Sequence, residues 1–302
     1  MARVVVTGAS GFVGRTLLPA LSMRGHEVVA LDRTAIGDIA EARDWGRLLA
    51  GADTAIHLAA LAHAHGASEA RLRAVNVDAS VAIGKAAAGA GVHMVFLSSV
   101  KALGEDTGAA PLDDASPLAP HDAYGSAKAE AERALRAIER LKLTVLRPPL
   151  VYGPGVKANF LALLRALERG WPLPLASVAN RRSVVFVGNL VDAIVRCLES
   201  PKAVGKSYVV SDGVPVSTPE LARAIAASLG RPARLLPFPP RLLELAGTLV
   251  GQGEAVRRLT RSLEVDDRAI RRELGWQPPF TFEEGIRLTA QWFRDEGAMK
   301  DS

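Results

Sequence analysis

A chain of 302 residues, 49% hydrophobic and with a formal net charge of +5, has apolar material for one large α/β domain with a smaller annex, and too much for a disordered chain. Its apolar runs are broken by charge or glycine before the roughly 20 residues that a membrane span needs, and Val4–Val6 follows the start without the charged and apolar regions of a secretory signal. Scattered arginines with few aromatics argue against nucleic acid, the single Cys197 fits a packed thiol in a reducing cytoplasm, and the six histidines lack partners at metal-ligand spacing, so no metal site is expected.

In chain order, β-branched runs alternate with alanine-rich segments. Strands are predicted at Arg3–Thr7, Glu27–Leu31, Thr54–Leu58, His93–Ser98 and Thr144–Arg147, with helices at Gly14–Met23, Trp45–Ala50, Arg71–Gly89 and Ala123–Leu141. The strand runs are almost continuously apolar, as strands buried on both faces are, and βαβ alternation implies a Rossmann-type, doubly wound parallel sheet. After Arg147 come Pro148, Pro149, Gly153, Pro154 and Gly155, a turn-rich junction. The expected division is therefore a dinucleotide-binding domain over residues 1–150 and a mixed α/β substrate domain over 151–302. The later part reads as a helix near Asn159–Glu168, strands at Val184–Val187 and Tyr208–Ser211 with a helix from Val191 between them, and a helix–loop–helix tail over Asp266–Gly297. This annex is expected to cross back to the first sheet at least once, near residues 184–212. Pro232–Pro240 reads as a connection, and the apolar run Leu242–Val250 as a buried or amphipathic helix.

The first strand runs straight into Thr7-Gly8-Ala9-Ser10-Gly11-Phe12-Val13-Gly14 and a helix. Gly8 permits the tight turn, Gly11 lets backbone approach a pyrophosphate, and Gly14 lets helix and strand pack closely, while the helix N-terminus offers N–H groups to the phosphates. Asp32 ends the second strand where an acid binds the ribose hydroxyls of NAD; the adjacent Arg33 leaves NADP open. Tyr124 and Lys128, four residues apart on a helix, share a face. A phenol near pKa 10 becomes a useful base only beside positive charge, which the lysine and an oxidised nicotinamide supply.

With these residues in place the chain resembles the extended short-chain dehydrogenase/reductase superfamily, in its NAD-dependent epimerase/dehydratase branch. The resemblance implies that Asp38-Ile39 holds the adenine, that Leu58-Ala59-Ala60 lines the cofactor, and that Asn76 is the family's helix asparagine. It makes Ser99, counted back from Gly104, the catalytic hydroxyl beside Tyr124 and Lys128, with Ser98 as the fallback. Similarity to nucleotide-sugar members continues through Arg147–Pro154 to Leu274-Gly275-Trp276. It implies substrate contacts from Ser98, Ser99, Lys101, Tyr124, Lys157, Asn159 and the pair Arg181-Arg182, a UDP-sugar as partner, and a homodimer built on the helices at 71–89 and 123–141. Dehydratases of this branch carry an Asp-Glu pair after the catalytic hydroxyl; here Val100-Lys101 stands there, which disfavours dehydration. Reduction of a UDP-4-keto-6-deoxy-N-acetylhexosamine is the leading expectation, a UDP-hexose 4-epimerase the alternative, and a non-catalytic dinucleotide sensor a distant third.

Overall fold

The computed structural model describes residues 1–41, 43–62, 68–108, 110–249 and 251–300, with 297–300 by backbone alone. His63, His65 and Val250, which entered the sequence reading, lie outside the described residues. The elements of the first half are β1 (Arg3–Thr7), α1 (Phe12–Met23), β2 (Glu27–Leu31), α2 (Arg33–Ile36), α3 (Trp45–Leu48), β3 (Thr54–His57), α4 (Glu69–Arg73), α5 (Ala79–Ala90), β4 (His93–Leu97), α6 (Ala123–Arg136) and β5 (Lys142–Arg147). One π-helical turn, Ala74–Asp78, joins α4 to α5, so the long helix predicted over 71–89 is broken by a bulge that carries Asn76. The second half contains β6 (Leu150–Tyr152), α7 (Ala158–Glu168), β7 (Val184–Phe186), α8 (Val187–Glu199), β8 (Ser207–Val209), α9 (Thr218–Ser228), α10 (Pro240–Leu249), α11 (Gly253–Thr260), α12 (Arg268–Leu274) and α13 (Phe282–Lys300).

Six strands form one parallel sheet in the order β2-β1-β3-β4-β5-β8, a Rossmann-like α/β fold. Strand side chains alternate between its faces. Val4, Val6, Val95 and Leu146 join the core under α1, α8 and α12, whereas Val5, Met94, Phe96 and Val145 face Trp45, Ile83, Ala87 and Leu135 on the other side. Cys197 is packed in the first of these cores, where burial pushes its thiol up to about 12. From β1 the chain winds outward to β2, then returns past β1 to β3, so the winding direction reverses beside β1, where a crevice lies at the carboxyl ends of the strands.

The chain crosses back to the large sheet once in the 184–212 region. β8 returns to the large sheet beside β5, but β7 pairs with β6 in a separate two-stranded parallel sheet. Its side chains explain why: Tyr152, Val184 and Phe186 are buried with Phe160, Leu164, Leu221, Ile225 and Ile286, a core of their own between α7, α9 and α13. The helix expected from Val191 already begins at Val187. Asp212 ties the two sheets, accepting from Tyr152 Oη (2.9 Å), Asn189 Nδ2 (2.7 Å) and Phe186 N–H (2.9 Å). No helix among the described residues is long and apolar enough to cross a membrane.

Candidate active site

The crevice between the β1 and β3 loops is a cleft of about 250 Å³ lined by Gly8, Ser10, Gly11, Asp32, Leu58 and Arg71, among others. Gly8 has φ +72°, and a Cβ there would stand 2.7 Å from Ala59 N, so the glycine turn lies directly against the Ala59-Ala60 loop. Gly14 is buried where α1 leaves the turn. Helix α1 starts at the extended Gly11 with no side-chain cap and no acid in its first turn, which leaves its first N–H groups to an anion. Phe12 and Val13 contribute only their backbone here; both side chains pack against the β6–β7 core.

At the far end of the cleft, Asp32 caps α2 with one oxygen, accepting from Thr34 and Ala35 N–H at 3.0 Å each, and keeps its second oxygen for a ligand hydroxyl. Arg33, Asp38 and Ile39 also line it. Asp38 accepts from Ala40 N–H and pairs with Arg71, and these two partners hold its carboxyl below the usual range. Asp38 thus anchors a wall, while Ile39 and Arg71 present surface to the cleft. Asn76 braces the crevice: its Oδ1 accepts from Leu61 N–H (2.8 Å) and its Nδ2 donates to Leu61 O (3.2 Å), fixing the Leu58–Leu61 loop.

Beyond the glycine turn, β4 ends at Leu97 and delivers Ser98 and Ser99, while α6 begins beside them. Gly125 permits this approach, since a Cβ there would meet Lys101 O at 2.5 Å. Asp122 caps α6 through Gly125 N–H (2.6 Å) and pairs with Lys101. Although desolvation works to raise the Asp122 carboxyl, hydrogen bonds from Lys101 and Gly125 hold it below its ordinary value. Lys128, one turn after Tyr124, is fully buried; its Nζ donates to Leu97 O at 2.8 Å and lies 4.6 Å from the Phe96 ring centre. Burial pulls its ammonium down to about 7, with Glu132 pulling weakly the other way. Burial, then the Asp122 carboxylate, hold the Tyr124 phenol above its ordinary value.

Ser98 and Ser99 part company. Ser98 is buried and donates to Glu132 Oε1 at 2.5 Å, which removes it as a substrate contact. Ser99 is half-buried beside the start of α6, its Oγ accepting from Lys101 N–H at 3.2 Å. Glu132 also receives a bidentate Arg147 (2.7 Å from Nη2), all three side chains being buried. His57, stacked on Phe96 and bonded to Thr7 and Ser80, is brought to about 3 by burial first and the Lys128 charge second, so it stays neutral.

The substrate-side residues divide as well. Arg181 is exposed and pairs with Glu264 (2.9 Å). Arg182 is largely enclosed, donates to Arg261 O at 3.0 Å, and has its guanidinium lowered by burial with Asp106, Arg258 and Glu105 around it. Lys101 is held by Glu105 (2.7 Å) and Asp122, so it joins the wall of the site and is not a free cation. Lys157 and Asn159 are exposed at the start of α7. Two residues that the sequence reading missed are Arg71 and Arg258. Arg258 reaches from α11 to within 3.8 Å of Asp122, and its Nε is buried without a protein partner. Neither has a sequence signal, since each reaches the site only through its helix's placement. Among the described residues no group of three or more His, Cys, Asp or Glu stands close enough to hold a metal.

Residues 4–211 match the NAD dependent epimerase/dehydratase family. A UDP-glucose 4-epimerase of Vibrio cholerae is 39% identical over 311 residues, covering 96% of this chain and 95% of the relative. One of Mycolicibacterium smegmatis is 32% identical, covering 97% of this chain and 99% of its own. Among solved structures, the Bordetella bronchiseptica enzyme WbmG in complex with NAD and UDP superposes with a TM-score of 0.79 at 20% identity, over 98% of this chain and 95% of that one.

Proposed function

The chain belongs to the NAD dependent epimerase/dehydratase family, and from that premise we propose that it is a UDP-hexose 4-epimerase that keeps NAD in the crevice. The likeness to the Vibrio cholerae UDP-glucose 4-epimerase over almost the whole of both chains carries this reading above reduction of a free 4-keto sugar. The residues fit the cofactor: an open helix N-terminus and glycine turn for the diphosphate, and a spare Asp32 oxygen for a ribose hydroxyl that would repel a 2′-phosphate.

NAD supplies a hydride acceptor when bound. Tyr124 takes the proton of the sugar's C4 hydroxyl, Ser99 hydrogen-bonds the same oxygen as charge develops, and Lys128 supplies the positive charge that eases phenol ionisation. Arg182 and Arg258 stand near the start of α6 and suit a diphosphate.

The test is conversion of UDP-galactose to UDP-glucose by the purified protein with no cofactor added, followed by sugar-nucleotide chromatography. Interconversion that falls at least a hundredfold in Tyr124→Phe supports the proposal. No interconversion, with stoichiometric oxidation of NADH by a UDP-4-keto-6-deoxy-N-acetylhexosamine, would overturn it in favour of the reductase.

A further inference from the structure

Helix α10 is amphipathic, but with the orientation opposite to that of a core helix. Its inner face, Gly247, packs on Val256 of α11, where an added Cβ would stand 2.5 Å from Val256 Cγ2. Its outer face carries Leu242, Leu245 and Leu249, spaced i, i+3 and i+7; Leu245 is 58% and Leu249 80% exposed. The extended segment before it continues the apolar surface with Leu236 and Phe238, both exposed. Trp171, 54% exposed, stands beside that segment across the Leu173–Leu235 bridge.

Positive charge frames the stripe. Arg231, Arg234 and Arg241 are exposed and none takes part in an ion pair among the described residues; Arg169 lies over the Trp171 ring, 5.2 Å from its centre. Glu244, the acid within 231–249, turns inward, accepting from Thr260 Oγ1 (2.6 Å) and facing Arg261 (3.8 Å). Glu168, next to Arg169, is exposed, so the rim stays net positive by three charges of this set.

We propose that this face docks on an anionic membrane surface, α10 lying in the plane of the interface. Aliphatic side chains at helical spacing, flanking Trp and Phe, and unpartnered arginines together match an interfacial helix. Spanning a bilayer and lying on one are different demands, and only the first needs a long apolar run. A second copy of this chain fits less well: a two-fold contact centred on the stripe brings like-charged arginine rims together, whereas anionic headgroups neutralise them. Helix α10 packs on α11, which carries Arg258 to the α6 cap, so docking would turn the substrate side of the molecule towards the bilayer.

The test is co-sedimentation of the full-length protein with vesicles of phosphatidylglycerol and phosphatidylcholine, against phosphatidylcholine alone. Binding to the anionic vesicles only, weakened by salt, is expected. Arg234→Gln should weaken it roughly fivefold and Leu245→Ser roughly tenfold. Both positions are exposed, so the variants should keep the wild-type thermal unfolding temperature, which controls for folding. Absence of vesicle binding, or equal binding by Leu245→Ser, would overturn the proposal. So would a concentration-dependent dimer in sedimentation velocity that Leu245→Ser dissolves without any vesicle binding, which would assign the face to a second copy.

Discussion

Glu132 sits at 0% exposure between Arg147, Ser98 and Lys128, and its replacement tests whether the buried charges behind the active site act as one unit. In Glu132→Leu the Arg147 guanidinium loses both carboxylate oxygens and keeps only Asp114 O at 3.1 Å, while Ser98 loses its acceptor. Removing one partner of a buried ion pair costs about 3–5 kcal/mol, because the remaining charge is uncompensated. Replacing both partners by apolar groups of similar volume is often neutral, so Glu132→Leu with Arg147→Met should recover most of that loss. Urea unfolding at pH 7, extrapolated linearly, measures all four corners of the cycle. Turnover should fall in the single variant too, since Ser98 and Leu97 are the residues that aim Ser99 and receive Lys128. A double variant as unstable as the sum of its singles would refute the coupling.

Three further outcomes follow from the site. Burial lowers the Lys128 ammonium from 10.5 to about 7 in the folded chain, so between those values the unfolded chain binds more protons and stability rises with pH; below about 7 the full burial cost, on the order of 5 kcal/mol, applies. Lys128→Met should abolish that rise in cofactor-free protein, and equal slopes for variant and wild type from pH 6.5 to 9.5 would contradict the buried-ammonium picture. Asp32→Ala should weaken NADH binding about tenfold or more by loss of a charge-assisted hydrogen bond, and leave Arg33 to favour NADPH, as read by fluorescence titration; unchanged NADH affinity would remove Asp32 from the ribose site. Gly8→Ala meets both a positive φ and the Ala59 backbone, so cofactor binding should be lost and stability should drop by more than about 1 kcal/mol in thermal unfolding; a fully active, equally stable variant would show that the two loops separate freely.

What was legible in the chain was the part governed by local chemistry. The glycine turn, Asp32 at a strand end, and Tyr124 with Lys128 at helical spacing each need only neighbours in sequence; the structure sets the first two in the cleft wall and seats Lys128 against the end of β4. What escaped was set by partners far along the chain. Counting back from Gly104 favours Ser99, but that Ser98 is engaged inward is set by Glu132, 34 residues on. Nothing local shows that Leu61 takes both amide atoms of Asn76. The Arg181-Arg182 pair reads as one clamp, but strand alternation sends Arg181 outward to Glu264 and Arg182 inward. The run Val184–Val187 was legible as a strand, but not its pairing with β6, because an apolar run specifies burial and not its partner.

The stripe Tyr124–Lys128–Glu132 along α6 sets opposing electrostatic demands on one helix. Asp122 and burial both oppose the phenolate, and burial alone brings Lys128 to the edge of losing its proton near neutrality. Glu132 favours the lysine's charged form but is held by Arg147, so its pull is partial. A phenol with these surroundings ionises more easily when further positive charge comes close to it. Oxidised cofactor brings such charge and reduced cofactor does not. In the epimerase proposed above, proton removal would thereby be tied to the cofactor state that can accept a hydride.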